Sequence, residues 1–267
     1  MFESKPPSGF RERSLSELNR GKAPLDWDDV PFLDHRTARQ YFERVSAKLS
    51  PPLAAALPSL FSESPDPDSA LILFDQLVCD SPEIARLLDR HHYLAHYALI
   101  VFGHSRYLGD TLIQNTDLLQ SFLREKNLDR SYSREGFHEA LARFRARSFE
   151  TDVSVLLSRF KRREYVRIML RDVLKIAPLA ETTAEISALA DVLIEDALRE
   201  AESRLLRKNE WPKTLDAAHR LVDVPFAVLS LGKLGGNELN YSSDVDLLYL
   251  FGDGKEPPDA AISNREY

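Results

Sequence analysis

Two aspartates one residue apart, Asp244 and Asp246, stand at the head of an apolar run, VDLLYLF (245–251). In a strand, residues i and i+2 point to the same side, so this spacing brings two carboxylates together. Like charges so placed repel unless a cation lies between them. A hard divalent cation with oxygen ligands, usually Mg²⁺, relieves the repulsion and can also gather substrate phosphates. The plainer alternative is a pair of solvated aspartates at a strand edge, and an isolated Asp-x-Asp fits that better. A calcium loop is disfavoured, because Leu248 and Tyr249 stand where further oxygen ligands are needed.

Just upstream lies a glycine cluster. Gly232, Gly235 and Gly236 follow the apolar stretch FAVLSL (226–231). A glycine-rich turn opening a helix lets backbone N–H groups approach a phosphate. GGNELN (235–240) is placed as one short helical turn or a helix start. The P-loop pattern fails, since Ala227 stands where its first glycine belongs and Leu234 follows Lys233. A tight turn without function explains the glycines equally well. The combination is more specific than either half. A strand, then Gly-Gly, then Asp-Val-Asp entering a second strand, suits phosphoryl chemistry: the turn holds phosphates and the carboxylates hold metal. Ser242 and Ser243 add hydroxyls beside the aspartates, for phosphate or merely to cap the strand. Lys233 is placed either on a phosphate or in solvent.

These residues need elements to hold them. FAVLSL and VDLLYLF read as two short buried strands. Before them the pattern is helical almost throughout 69–209. A first helix is placed near 36–49, and the prolines at 51–52 and in SESPDPDS (62–69) are read as loop signals. Ser81-Pro82-Glu83 reads as a helix start, with one long helix following through Ile84, Leu88 and Leu94 until His104-Ser105 breaks it. Ser133 is placed as the cap of a helix carrying Phe137, Leu141 and Phe144. Pro178 ends the stretch 152–174. Residues 181–208 carry the clearest 3.6-residue stripe, a helix of roughly 40 Å. The fold class is therefore α+β, a mostly α-helical region leading into an incomplete α/β domain. The divisions are 1–68, a poorly ordered tail and first helix; 69–215, helical; and 216–267, the start of the α/β domain. Two strands cannot bury the faces of such a domain, so the chain is expected to be part of something longer, or its remaining strands to come from another chain.

The bulk numbers narrow the classes. With 267 residues, 43% hydrophobic and 29% charged, the balance is that of a soluble globular protein. A net charge of −7 argues against general nucleic-acid binding. The single cysteine, Cys79, excludes an internal disulfide and reads as a buried thiol. YLAHYALIVFG (93–103) is too short to span a bilayer, and the charged N-terminus has no secretory pattern. A cytoplasmic location is expected. The arginine-rich faces (Arg143, Arg145, Arg147, Lys161, Arg162, Arg163 and Arg167) read as solvated helix faces rather than as a partner site. His92 and His96 have an i,i+4 metal spacing, but core or surface roles explain them better.

The string GKLGGNELNYSSDVDLLYLF resembles the signature of the nucleotidyltransferase superfamily, with its DNA-polymerase-β-like fold. More closely it resembles the glutamine synthetase adenylyltransferase / adenylyl-tyrosine phosphorylase family. FGHSRYLGDTLIQNTDLLQSFL, KRREYVRIMLRDVLKIAPLAETTAEISALAD and the terminal ISNREY are similar to that family's segments too, so the resemblance covers roughly 70–267. It implies a bifunctional enzyme that attaches AMP to a tyrosine of glutamine synthetase in one half and removes it by phosphorolysis, releasing ADP, in the other. It implies Asp244 and Asp246 as catalytic metal ligands for Mg²⁺. Gly235 and Gly236 would face the phosphates of a nucleotide (ATP or ADP), with Lys233 and Ser243 as further contacts. Asn240 resembles the AMP-removing half, since the other half usually has glycine there. Gly236 departs from the superfamily, where many members carry serine. The family's third carboxylate lies in a later segment, so this chain alone is expected to be inactive. The implied partners are glutamine synthetase and the PII nitrogen-signalling protein, with no nucleic acid or membrane. Two alternatives stay open: the adenylylating half, or a non-catalytic module that binds glutamine synthetase or a regulator.

Overall fold

The computed structural model describes residues 25–125, 128–207, 211–216 and 218–252. ISNREY and the first 24 residues lie outside them. The chain divides into two compact units: residues 1–130 with 162–177, and residues 131–161 with 178–267.

The first unit is helical. Its helices are α1 (His35–Ser46), α2 (Pro51–Phe61), α3 (Pro67–Asp80), α4 (Pro82–Arg90), α5 (His92–His104), α6 (Arg106–Gln114) and α7 (Asp117–Glu125). Helix α9 (Val153–Val173) contributes its residues from Arg162 onward. The prolines expected to mark loops instead start helices. Pro51 and Pro67 stand in the first turns of α2 and α3. There a missing N–H costs nothing and the fixed φ already suits the helix. Asp34 and Asp66 accept hydrogen bonds from the first-turn amides of α1 and α3.

The single long helix expected after Pro82 is two helices. The chain turns at His91, whose φ of −136° and ψ of 73° are not helical. Ser81, His91 and Ser105 each close one helix and open the next. Ser105 does both jobs by hydrogen bonds: its N–H donates to the Val101 carbonyl and its Oγ accepts from Leu108 N–H.

Helix α3 packs against α1, α4, α5 and α6. Phe61, Phe74, Leu77, Leu88, Leu94 and Phe102 fill the core between these helices. Trp27 stacks on Phe42 with ring centroids 4.1 Å apart. Helix α5 is buried nearly all round, which explains why its sequence looks membrane-like; among the described residues no helix is long and apolar enough to cross a membrane. On α9, Arg167 overturns the reading of a solvated face, and Arg171, which that reading did not include, is buried with it. Arg167 and Arg171 are each only 2% exposed. Arg167 donates to Glu164 at 2.6 Å and to the Arg130 carbonyl at 3.4 Å. Arg171 donates to the Leu128 carbonyl at 3.4 Å. Their planar donor groups satisfy carbonyls that no secondary structure reaches.

In the second unit, α8 (Arg134–Arg147) packs on α10 (Leu179–Leu206). Ser133 caps α8 through Gly136 N–H. Glu195 on α10 gathers Arg134, His138 and Arg199, and Asp196 pairs with Arg145. Glu185 accepts from Tyr132 N–H at 2.6 Å. Among the described residues, four short strands follow in two antiparallel pairs. The hairpin β1 (Lys213–Leu215) and β2 (Leu221–Asp223) has no counterpart in the sequence reading. Asp216 organises its turn, accepting from the Ala218 and Arg220 amides. The second pair is β3 (Phe226–Ser230) with β4 (Leu247–Phe251), Phe226 opposite Phe251 and Ser230 opposite Leu247. Both strands were expected to be buried. They are not: Leu229, Leu248, Tyr249, Leu250 and Phe251 are all exposed. Among the described residues no third strand or helix covers the ribbon, and its β-branched and aromatic content reflects strand formation rather than burial here.

Candidate active site at the β3–β4 connection

Residues 231–246 join β3 to β4 and carry Gly232, Lys233, Gly235, Gly236, Ser243, Asp244 and Asp246. The ladder continues one step past the strands, with Leu231 N–H donating to the Asp246 carbonyl at 2.9 Å. That bond puts the Asp246 side chain at the mouth of the glycine turn. The turn itself is a four-residue helix, α11 (Gly232–Gly235). The helical turn is thus GKLG, and GGN ends it, where GGNELN was expected to form a short helical turn or a helix start of its own.

Each glycine has a different reason. Gly232 has φ +56°, and a Cβ there would come within 2.9 Å of Asp246 Oδ2. It therefore supplies both the left-handed backbone and the room for the carboxylate. A Cβ on Gly235 would lie 2.4 Å from the Ser230 carbonyl oxygen, a backbone atom that cannot move aside. Gly236 meets only ordinary contacts and has φ −84°. The left-handed residue that closes the turn is Asn237, at φ 59°.

The N–H groups of Gly235, Gly236, Asn237 and Glu238 all donate to carbonyls within the turn. Among the described residues the amides of Gly232, Lys233 and Leu234 have no such acceptor. They are the donors that the turn itself does not use. Lys233 and Ser243 are brought together, Nζ to Oγ, at 3.2 Å. Asn240 underlies that contact. Its Oδ1 accepts from Ser243 Oγ at 2.6 Å and from Ser242 N–H at 3.2 Å. This is a side-chain-stabilised turn in which the asparagine mimics backbone.

Asp244 follows directly and is exposed, as is Asp246. Both lie just before β4 rather than within it. Among the described residues neither carboxylate accepts a side-chain hydrogen bond or joins an ion pair, so their oxygens are available to a ligand. Exposed, unpaired carboxylate oxygens beside a turn with spare amides fit a hard cation carrying phosphate. Among the described residues no group of three or more His, Cys, Asp or Glu side chains could hold a metal. His92 and His96 belong to no such group.

Three residues of the site carry weak signals or none. Gly232 was recognised only as part of a cluster. The Asn-x-x-Ser spacing at Asn240 is an ordinary turn signal. Ser187, far away in sequence, accepts from Leu239 N–H at 3.0 Å, and nothing in the local sequence announces that.

Residues 96–267 match the family model of glutamate-ammonia ligase adenylyltransferase. The chain belongs to this family. Among its relatives is the bifunctional glutamine synthetase adenylyltransferase/adenylyl-removing enzyme of Nitrosomonas eutropha, 31% identical over 169 residues, 62% of this chain and 18% of the relative. The enzyme of the same name from Nitrosococcus oceani is 32% identical, covering 63% of this chain and 17% of the relative. That from Haemophilus ducreyi is 28% identical over 72% of this chain and 19% of its own length. The chain thus spans under a fifth of the length of these adenylyltransferase relatives. The matched region takes in the whole β3–β4 connection.

Proposed function

We propose that this chain is part of an enzyme controlling glutamine synthetase by AMP transfer, and that it belongs to the half that removes AMP from adenylyl-tyrosine. The observation that carries the site is the pair of unpaired carboxylates, Asp244 and Asp246, beside the spare amides of Gly232–Leu234. The residue that favours the removing half is Asn240. Its side chain builds the turn that fixes Ser243 and Lys233; glycine, which the resemblance gives the other half, has no such side chain.

In the proposed reaction an oxygen of inorganic phosphate attacks the AMP phosphorus. The phosphorus–oxygen bond to tyrosine breaks, ADP leaves, and the phenolate takes a proton. Phenolate is a poor leaving group at neutral pH, since tyrosine ionises near pH 10. Mg²⁺ held by Asp244 and Asp246 would supply charge stabilisation at the transferring phosphoryl group. The residues around it bind and orient. The Gly232, Lys233 and Leu234 amides and the Lys233 ammonium face the phosphates. The bare backbone of Gly235 and Gly236 permits close approach. Ser243, held by Asn240, directs Lys233. Glutamine synthetase is the protein substrate, the PII protein is proposed as regulator, and the cytoplasm as the place of action.

The test uses the full-length protein, adenylylated glutamine synthetase, phosphate and Mg²⁺. Asp244→Asn with Asp246→Asn should lower ADP release at least 100-fold while leaving the thermal midpoint within a few degrees. Unchanged ADP release sinks the assignment. ATP-dependent adenylylation lost in its place identifies the site as the other half.

A further inference from the structure

Ser187 lies on α10, 52 residues before Leu239 of the site loop, and is 1% exposed. Its Oγ donates to the Thr183 carbonyl at 2.9 Å and accepts from Leu239 N–H at 3.0 Å. The hydroxyl thus makes one bond back to its own helix and one across to the loop. Leu239 is itself 2% exposed. A buried N–H without an acceptor is costly, so this contact determines where the loop can sit. The next residue is Asn240, whose side chain builds the turn that sets Ser243 and, through it, Lys233. Asp244 follows at once. The far end of the loop is held separately, by Leu231 N–H on the Asp246 carbonyl. Ser187 thus reaches into the β3–β4 connection from outside it.

We infer that Ser187 is a positioning residue: it anchors the loop 239–246 to α10 and thereby sets the Asp244 and Asp246 carboxylates for metal binding. It touches neither substrate nor metal. The inference rests on the metal-binding reading of the two aspartates given above.

The experiment follows hydrogen exchange of the full-length protein, with amides 231–246 as the local readout, during titration with Mn²⁺. In the unaltered protein the Leu239 amide is protected, and Mn²⁺ further slows exchange in 240–246. Ser187→Ala removes the acceptor. It is expected to speed exchange at Leu239 and across 240–246 by at least tenfold and to raise the Mn²⁺ midpoint at least threefold. Exchange in α8 should stay as it was. Ser187→Thr keeps the hydroxyl and should restore most of both effects. Ser187→Cys, nearly the same size with a weak acceptor, should behave like the alanine variant and serves in its place if that protein fails to fold. Unchanged Leu239 exchange in the alanine or cysteine variant overturns the anchor. Faster exchange with an unchanged Mn²⁺ midpoint overturns its role in setting the carboxylates. The Asp244→Asn, Asp246→Asn protein separates the two readings: if it binds Mn²⁺ normally, the metal assignment itself has failed, whatever Ser187 does.

Discussion

At the scale of single residues, the site is an exercise in which atoms a backbone leaves room for. The three glycines of the turn look equivalent in the sequence, yet the structure ranks them. Gly235→Ala drives a Cβ against an immovable carbonyl and should cost about 1–3 kcal/mol. Gly232→Ala meets a left-handed φ, a penalty of about 1–2 kcal/mol, and displaces the Asp246 carboxylate. Gly236→Ala should change stability by less than about 1 kcal/mol and in the stabilising direction, because its φ suits any residue and alanine restricts the unfolded chain. Denaturant midpoints of the three variants check the order. Cys79 shows a different residue-level constraint. It is half-buried rather than buried. Burial, and then the neighbouring Asp75 carboxylate, push its thiol above the ordinary range. Alkylation by iodoacetamide at pH 8 should therefore be slower than that of a free thiol, and should rise with pH beyond the point where a free thiol has levelled off.

At the scale of elements, α10 is the member that ties the second unit together. Glu195 on it gathers Arg134, Arg199 and His138. The Arg134 guanidinium hydrogen-bonded to Glu195 holds its carboxyl below the usual range, with Arg199 and His138 adding to the effect. A carboxyl depressed in the folded state contributes stability above its unfolded pKa, about 4.3, and loses it as pH falls through the lower folded value. Glu195→Gln should accordingly lower the urea midpoint at pH 7, and its gap from the unaltered protein should close as the pH drops below about 4. In the first unit, Arg167 on α9 is the larger liability. Arg167→Met leaves Glu164 and the Arg130 carbonyl without their donor. It should cost roughly 2–4 kcal/mol by thermal or chemical unfolding. Sequence reasoning treated this arginine as solvated because charge at i,i+4 spacing usually marks a surface. The Glu164 carboxylate and the Arg130 carbonyl, the latter supplied by a distant segment, account for its burial.

At the scale of the whole molecule, the order helices-then-strands was legible because the hydrophobic period changes from 3.6 to short apolar runs near Pro225. Asp244, Asp246, Lys233 and Ser243 stand out as candidates by type and spacing alone. The contacts that hold them could not. Ser187 meets Leu239 across fifty residues, and a period-based reading has no access to such a pair. Helix starts at Pro51 and Pro67 were misread because proline marks both a loop and a first helical turn. The break at His91 was missed because no glycine or proline announces it. Limited proteolysis tests how the helices are joined. Phe149, wholly exposed in the segment between α8 and α9, should be the first chymotryptic cut within residues 25–207. The tyrosines of α5 should be resistant.

The single-residue joints at Ser81, His91 and Ser105 carry a consequence of their own. A joint of one residue has no slack to absorb a change of length. Each added residue would turn everything downstream by about 100° about the helix axis, swinging Leu94, Leu99 and Phe102 out of phase with α3. Length variation within α3 to α6 should therefore be strongly selected against, with insertions confined to multiples that restore the phase.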